Sequence, residues 1–293
     1  IQKLTPTRRI LLVAGLITPT IGVEFGDTGI RFGGIGFVLI LLVLLLELKD
    51  KLTALDELAV GRAVQNALLP SANPTVSGWD VWLHTQPANE VGGDLVDYLE
   101  VRENGWGVAL GDVAGKGLGA ALLMAKVQAT LRALAPGFST LADLARELNH
   151  IIYRDGLRNR FVSFVYLELE AGSGGIRFVN AGHLPPILAR GDVLQSMPRG
   201  APALGILSEA TYQEEEIALD TGDLFCIFSD GVTEAINGKG QFFGEARLMS
   251  LLEKHQGFSA KALGEQILSE VKAFIGDEPP SDDLSLALLK RVK

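Results

Sequence analysis

The sequence predicts an α+β fold with mostly antiparallel sheets over residues 71–293, behind a membrane-anchoring segment at 1–46 and a linker helix at 47–70. Three observations predict it. Strand-like runs at 79–85, 106–111, 161–169, 176–180, 223–228 and 284–289 are in several cases separated only by turns. That is the order of antiparallel neighbours, not of strands alternating with crossover helices. Helical spacing is confined to blocks: 118–134, then Leu141, Leu144, Ala145, Leu148 and Ile152, then Leu263, Ile267, Leu268, Val271 and Ile275. The apolar excess lies outside all of these, in the first 48 residues.

In that N-terminal part, residues 10–23 read ILLVAGLITPTIGV and residues 32–46 read FGGIGFVLILLVLLL. With its flanks, the second run approaches the ~20 residues that cross a bilayer; the first is shorter and is interrupted by Thr18-Pro19-Thr20. Two helices, about 10–25 and 30–48, are expected, joined by a short turn at 24–31. Lys3, Arg8 and Arg9 precede the pair, and Lys49 and Lys51 follow it. The positive-inside rule then keeps both ends in the cytoplasm, with the pair in the membrane. A secretory signal fits less well, because no small-x-small cleavage site follows and a second apolar run does. Position 1 is Ile rather than Met, which leaves room for residues upstream.

From Glu47 to Leu69 charges return. Leu48, Leu52, Leu55 and Ala59 keep the 4-3-4 spacing of a coiled-coil seam, which predicts a homodimer through this helix, until Arg62 and Asn66 fall on the stripe. Pro70 and Pro74 end it. A solvated linker helix explains one such heptad equally well.

Composition narrows the function. Lys and Arg number 26 against 35 Asp and Glu, a net charge of −9, which counts against nucleic-acid binding. One cysteine, Cys226, excludes an internal disulfide and any cysteine-based zinc site. Set mid-strand in LFCIF, it reads as a small buried apolar group.

Carboxylates at strand ends are the chemical signal. Asp94 follows two glycines in VGGDLVDY; Asp112 closes WGVALGD and opens the glycine-rich turn GDVAGKGLGA; Asp230 caps DLFCIFSDG; Asp282 and Asp283 open SDDLSLALL. Any one of these is a turn residue first. Several together at strand ends can meet on one rim of a layered sheet, where an oxygen-only donor set selects hard cations such as Mg²⁺ or Mn²⁺. Spacing alone leaves that open. The GKG turn lacks the P-loop spacing, and Leu95-Val96 after GGD excludes a cyclase-type signature.

VGGDLVDY, GDVAGKGLGAALLMA, FVSFVYLELE, NAGHLPPIL, GDLFCIFSDGVTEAIN, FGEARL and SDDLSLALL stand in the order found in PPM-type metal-dependent protein phosphatases. The chain most resembles their SpoIIE/RsbU-like bacterial branch, over roughly residues 60–290, with ELAVGRAVQNALLP similar to the helix preceding the catalytic domain there. The resemblance implies an α-β-β-α sandwich of two antiparallel sheets flanked by helices. It also implies two divalent cations, Mn²⁺ or Mg²⁺, held by Asp94, Asp112, the Val113 carbonyl, Asp230 and Asp282, with Asp283 as the second choice. Asp112 would bridge both ions. The implied reaction is hydrolysis of phosphoserine or phosphothreonine on a regulatory protein, such as an anti-sigma-factor antagonist, by a metal-activated water. Leu95-Val96, Ala114 and Ser229 depart from commoner residues without removing a ligand. Lys116 is expected either at phosphate or as a plain surface lysine, and His183 as a hydrogen-bonding residue that shapes core or rim. A catalytically inactive, membrane-tethered phosphoprotein-binding module is the alternative, disfavoured by the complete set of acids.

Overall fold

The computed structural model describes residues 4–17, 22–25, 28–31, 33–70, 72–155 and 160–293, the side chains of 22–25, 28–31 and 33 excepted. The chain divides into two compact units, Ile1–Val60 and Gly61–Lys293.

In the first unit, helix α1 (Pro6–Ile17) starts on a proline, which the first helical turn tolerates because it has no N–H to satisfy there. Strands β1 (Gly22–Phe25) and β2 (Thr28–Arg31) pair antiparallel. A helix to about residue 25 and a plain turn at 24–31 were expected; residues 22–25 and 28–31 are instead paired strands. Residues 18–21 and 26–27 of those expectations lie outside the described residues. Helix α2 (Gly33–Leu68) is unbroken, merging the second apolar run with the linker helix. Its early part packs antiparallel to α1. A Cβ on Gly15 would lie 2.8 Å from Ile40 Cγ1, and Arg8 pairs with Glu47 and Asp50, both at 2.7 Å.

The second unit begins with the last turns of α2. The chain then runs through β3 (Trp79–Gln86), β4 (Leu95–Arg102), β5 (Gly105–Val113), α3 (Leu118–Leu134), α4 (Leu141–Asp155), β6 (Val162–Glu170) and β7 (Gly175–Ala181). It continues through β8 (Ile187–Arg190), β9 (Val193–Ser196), β10 (Glu214–Ala218), β11 (Leu224–Phe228), α5 (Asp230–Thr233), α6 (Glu245–Lys254), α7 (Ala260–Ile275) and β12 (Leu284–Arg291). One sheet is ordered β10-β7-β6-β5-β4 and the other β3-β12-β11-β8-β9, with neighbouring strands antiparallel throughout both.

Side chains alternating along each strand make three apolar layers. Between the sheets lie Val108, Leu110, Val165, Leu167, Phe225, Ile227 and Ala287. The other face of the first sheet packs Ala109, Phe164 and Tyr166 against Met124, Val127 and Leu148 of α3 and α4. The other face of the second packs Cys226, Leu286 and Leu288 against Leu263, Ile267 and Val271 of α7. The result is the expected α-β-β-α sandwich.

Leu118–Gly137 is the helix among the described residues with the length and hydropathy to cross a membrane. It is a core helix, with Met124, Val127 and Leu131 fully buried.

Candidate metal centre

The topology places the acids on one rim. Because β4 and β5 are antiparallel with Leu95 opposite Gly111, Asp94 before one strand sits beside Asp112 near the end of the other. Likewise Phe228 opposes Leu286, so Asp230 after β11 lies beside Asp282 before β12.

Glycines let these backbones close in. A Cβ on Gly93 would stand 3.3 Å from the Val113 carbonyl oxygen and 3.6 Å from Asp112 Oδ1, which sets the Asp94 loop against Asp112-Val113. A Cβ on Gly231 would collide with Asp283 O at 2.0 Å, so the Asp230 turn is pressed onto the Asp282-Asp283 backbone. The five expected metal-holding residues are therefore brought to one place.

Their electrostatics are those of uncompensated carboxylates. Burial, then Asp112, pushes Asp94 well above the usual range, and hydroxyls of Ser285 and Ser229 offset this only in part. Asp94 Oδ2 is buried with no protein hydrogen-bond partner. Burial, then Asp230, Asp282 and Asp283, raises Asp112 to about 6. Asp230 is raised by burial and then by Asp282. No trio of these side chains among the described residues stands ready-made as a metal cage; mutual repulsion favours keeping them apart. A buried, unpartnered carboxylate oxygen among acids, with oxygen-only donors, fits a hard divalent cation.

Asp282 and Asp283 differ in what they do. The Asp283 carboxylate is buried and engaged at both oxygens: Oδ1 accepts the Ala88 N–H at 2.8 Å, and Oδ2 accepts those of Gly93 at 2.7 Å and Asp94 at 3.3 Å. The Asp282 side chain is 42% exposed and pairs with Lys116 Nζ at 2.9 Å.

His183 is buried and braces the rim. Its Nε2 lies 3.0 Å from Phe228 O, and a carbonyl only accepts, so Nε2 carries the proton. Nδ1 then accepts from Ser163 Oγ at 2.9 Å. Ser163 is the β6 partner of Asp112, and Phe228 stands two residues before Asp230, so the ring ties the two sheets beside two of the acids. Burial lowers its pKa to about 4, which keeps it neutral. Cys226 is buried and its thiol is pushed up to about 12, matching its reading as an apolar filler.

Two supporting groups escaped the sequence reading. Gln65 of α2 is buried and clamps Gly92 from both sides, donating to its carbonyl at 2.8 Å and accepting its N–H at 3.0 Å. A glutamine one residue before Asn66, which breaks the seam, was the available signal. Arg132 of α3 forks onto fully buried Asp97 of β4 at 2.7 and 2.6 Å; nothing in their spacing marks that pair.

A carboxylate rim on two stacked antiparallel sheets between helical layers defines the PPM (PP2C) class of phosphatase. Residues 102–292 match the family described as Stage II sporulation protein E (SpoIIE), and the chain belongs to that family. Phosphoserine phosphatase RsbU of Bacillus subtilis (strain 168) is 25% identical over 238 residues, 80% of this chain and 70% of that protein. Protein IcfG of Synechocystis sp. is 26% identical over 274 residues, 84% of this chain but 43% of that protein, so the chain spans less than half of that longer relative. Among solved structures, the SiaA-PP2C domain of Pseudomonas aeruginosa superposes with a TM-score of 0.72 at 22% identity, covering 83% of this chain and 99% of that one. The SpoIIE phosphatase structure that includes a regulatory-domain fragment, from Bacillus subtilis, gives 0.61 at 18% identity, covering 74% and 63%. At such identities the structural likeness concerns the fold.

Proposed function

We propose that Gly61–Lys293 is a metal-dependent protein serine/threonine phosphatase, with Asp94, Asp112, the Val113 carbonyl, Asp230 and Asp282 holding two Mn²⁺ or Mg²⁺ ions. The observation that carries this reading is the rim itself: Asp94, Asp112 and Asp230 are all pushed upward by burial and by other acids, and Asp94 Oδ2 has no partner. The naming of RsbU and RsbP as phosphoserine phosphatases supports the substrate class, and a magnesium complex of RsbX, which shares the fold, supports the ion. When bound, such ions supply a water acidified to near-neutral pKa and offset charge on phosphoryl oxygens. The chain's own work is placement. Asp283 and Gln65 fix the loop that carries Asp94, and neutral His183 fixes the ends of β6 and β11. Asp283, with three N–H donors on its oxygens, serves as a clamp, which leaves Asp282 as the ligand.

The substrate is then a phosphorylated regulatory protein, of the anti-sigma-factor-antagonist kind implied by the family. The first unit is read as a membrane hairpin in the bacterial inner membrane with the catalytic unit in the cytoplasm. Ile35, Phe37, Val38 and Leu44 of α2, all more than half exposed, support that placement. Leu48 and Leu52, at 52% and 53% exposure, support dimerisation through the same helix.

The test is hydrolysis of a phosphoserine peptide by the full chain with Mn²⁺, with chelator, and by Asp112→Asn. Turnover that needs the ion and is lost in the variant is expected. Metal-dependent peptide binding without turnover would make the chain an inactive binding module instead. Retention in the membrane pellet after alkaline extraction is expected of the hairpin.

A further inference from the structure

We propose that Lys116 is a tethered counter-ion of the metal-free site, whose ammonium must leave the Asp282 carboxylate before a divalent cation is held there. The inference rests on the phosphatase reading for the role of Asp282. Lys116 Nζ lies 2.9 Å from Asp282 Oδ2 and donates to the Ser281 carbonyl at 2.7 Å. Those two contacts carry the β5–α3 turn across to the start of β12, from one sheet to the other. A lysine serving only solubility would project into water; this one closes on an acid of the rim.

The side chain has room to move. Lys116 stands between Gly115 at φ 107° and Gly117 at φ 76°, both in the left-handed region that other residues resist. A Cβ on Gly117 would meet nothing within 4 Å, and the Lys116 side chain is 57% exposed, so release meets no packing barrier. Asp282 Oδ1 accepts the Asp283 N–H at 3.0 Å, which leaves Oδ2 to the ion, and an ammonium and a divalent ion cannot share that one oxygen at contact distance without strong repulsion. Affinity at Asp282 therefore includes the loss of this pair, and an exposed pair of this kind is worth about two- to fivefold in binding.

The experiment is a Mn²⁺ titration of the full 293-residue chain, reading free Mn²⁺ by its electron paramagnetic resonance signal with no substrate present. Lys116→Met is expected to bind at least one Mn²⁺ about two- to fivefold more tightly than wild type, and Lys116→Arg, which keeps the charge, to match wild type. Lys116→Gln gives the same readout should methionine disturb the turn. Equal or weaker binding after the charge is removed, or tighter binding by Lys116→Arg as well, overturns the proposal. If the wild type binds no Mn²⁺, or Asp112→Asn binds it as well as wild type, the metal-centre reading fails and takes this inference with it.

Discussion

Asp283→Ala should destabilise the catalytic unit far more than Asp282→Ala, although the two residues are neighbours. The buried Asp283 carboxylate accepts three backbone N–H groups, from Ala88, Gly93 and Asp94. Removing it strands those donors, of which the Gly93 and Asp94 groups are buried, at about 1–3 kcal/mol for each buried one. Asp283 also repels Asp94 and Asp112, so its loss relieves some of their strain and offsets about 1 kcal/mol of the cost. The net is about 3 kcal/mol, or a fall of about 6–12 °C in Tm for a unit of this size. Asp282 has an exposed pair with Lys116 to lose, worth under about 1 kcal/mol, and one local hydrogen bond in which its Oδ1 accepts the Asp283 N–H at 3.0 Å, while its removal eases repulsion on Asp112 and Asp230. Its Tm should stay within about 2 °C of wild type. Thermal unfolding of both variants without metal, followed by circular dichroism, makes the comparison. Mn²⁺ titration of the same samples should show the reverse order, with Asp282→Ala losing the ion more completely. If Asp283→Ala melts with wild type, or Asp282→Ala melts lower than Asp283→Ala, the division into clamp and ligand is wrong.

The contribution of Asp112 to metal-free stability should fall with rising pH, opposite in sign to that of His183, whose lowered pKa gives stability that is lost as pH falls. The folded pKa of Asp112 is raised from 3.8 to about 6, so the folded state holds the extra proton, and the stability this gives is complete below pH ~4 and lost above ~6. In urea titrations the stability difference between wild type and Asp112→Asn should fall by about 1–3 kcal/mol across this range, with His183 common to both proteins, and should not do so at saturating Mn²⁺; a difference that stays flat or rises in the metal-free proteins would contradict the burial of this acid. His183→Ala should cost about 2–4 kcal/mol, since it strands Ser163 Oγ and the Phe228 carbonyl and empties a buried site. In wild type, nitrogen NMR should find the Nε2–H tautomer with no titration above pH ~5, as burial keeps the ring neutral. Gln65→Ala should speed amide exchange over residues 87–94 and weaken Mn²⁺ binding, because both polar groups of Gly92 lose their partner; unchanged exchange there would remove α2 from the support of the site.

The sequence was most legible where one period dominates. Helix α3 falls on residues 118–134 as its apolar spacing requires, and β5, β6, β7, β11 and β12 are long apolar runs buried on both faces. Strand β4 was missed because it carries Asp97, Glu100 and Arg102 within eight residues; only the structure supplies Arg132 to pair Asp97 and an edge position to expose Glu100. Strands β8, β9 and β10 are four or five residues long, and Glu214-Glu215-Glu216 reads as loop until a sheet edge needs a charged strand. For the site, the acids themselves were legible from their place beside glycines at strand ends. Their supports were not: Gln65 and Gly92 are 27 positions apart, Asp283 and Gly93 190 apart, and no local pattern encodes such pairings.

The difference between ligands and supports follows from what each must do. On the proposed reading, a group that receives an ion is left without a partner, as Asp94 Oδ2 is, or with one it can release, as Asp282 is, and the cost falls on the folded state. Asp94 and Asp112 carry that cost as raised pKa values. It is tolerable only because the backbone around them is over-determined: Asp283 holds Gly93 and Asp94, Gln65 holds Gly92, His183 joins β6 to β11, and Arg132 fixes β4 to α3. Loosening any of these supports lets the acids move apart and relieve their repulsion, so it should lower ion affinity by more than the lost contact is worth to the fold. Removing an acid does the opposite, stabilising the metal-free chain while abolishing the reason for its construction. Stability and ion binding should therefore fall together for the supports and separate for the ligands, a contrast that assigns each residue without reference to catalysis.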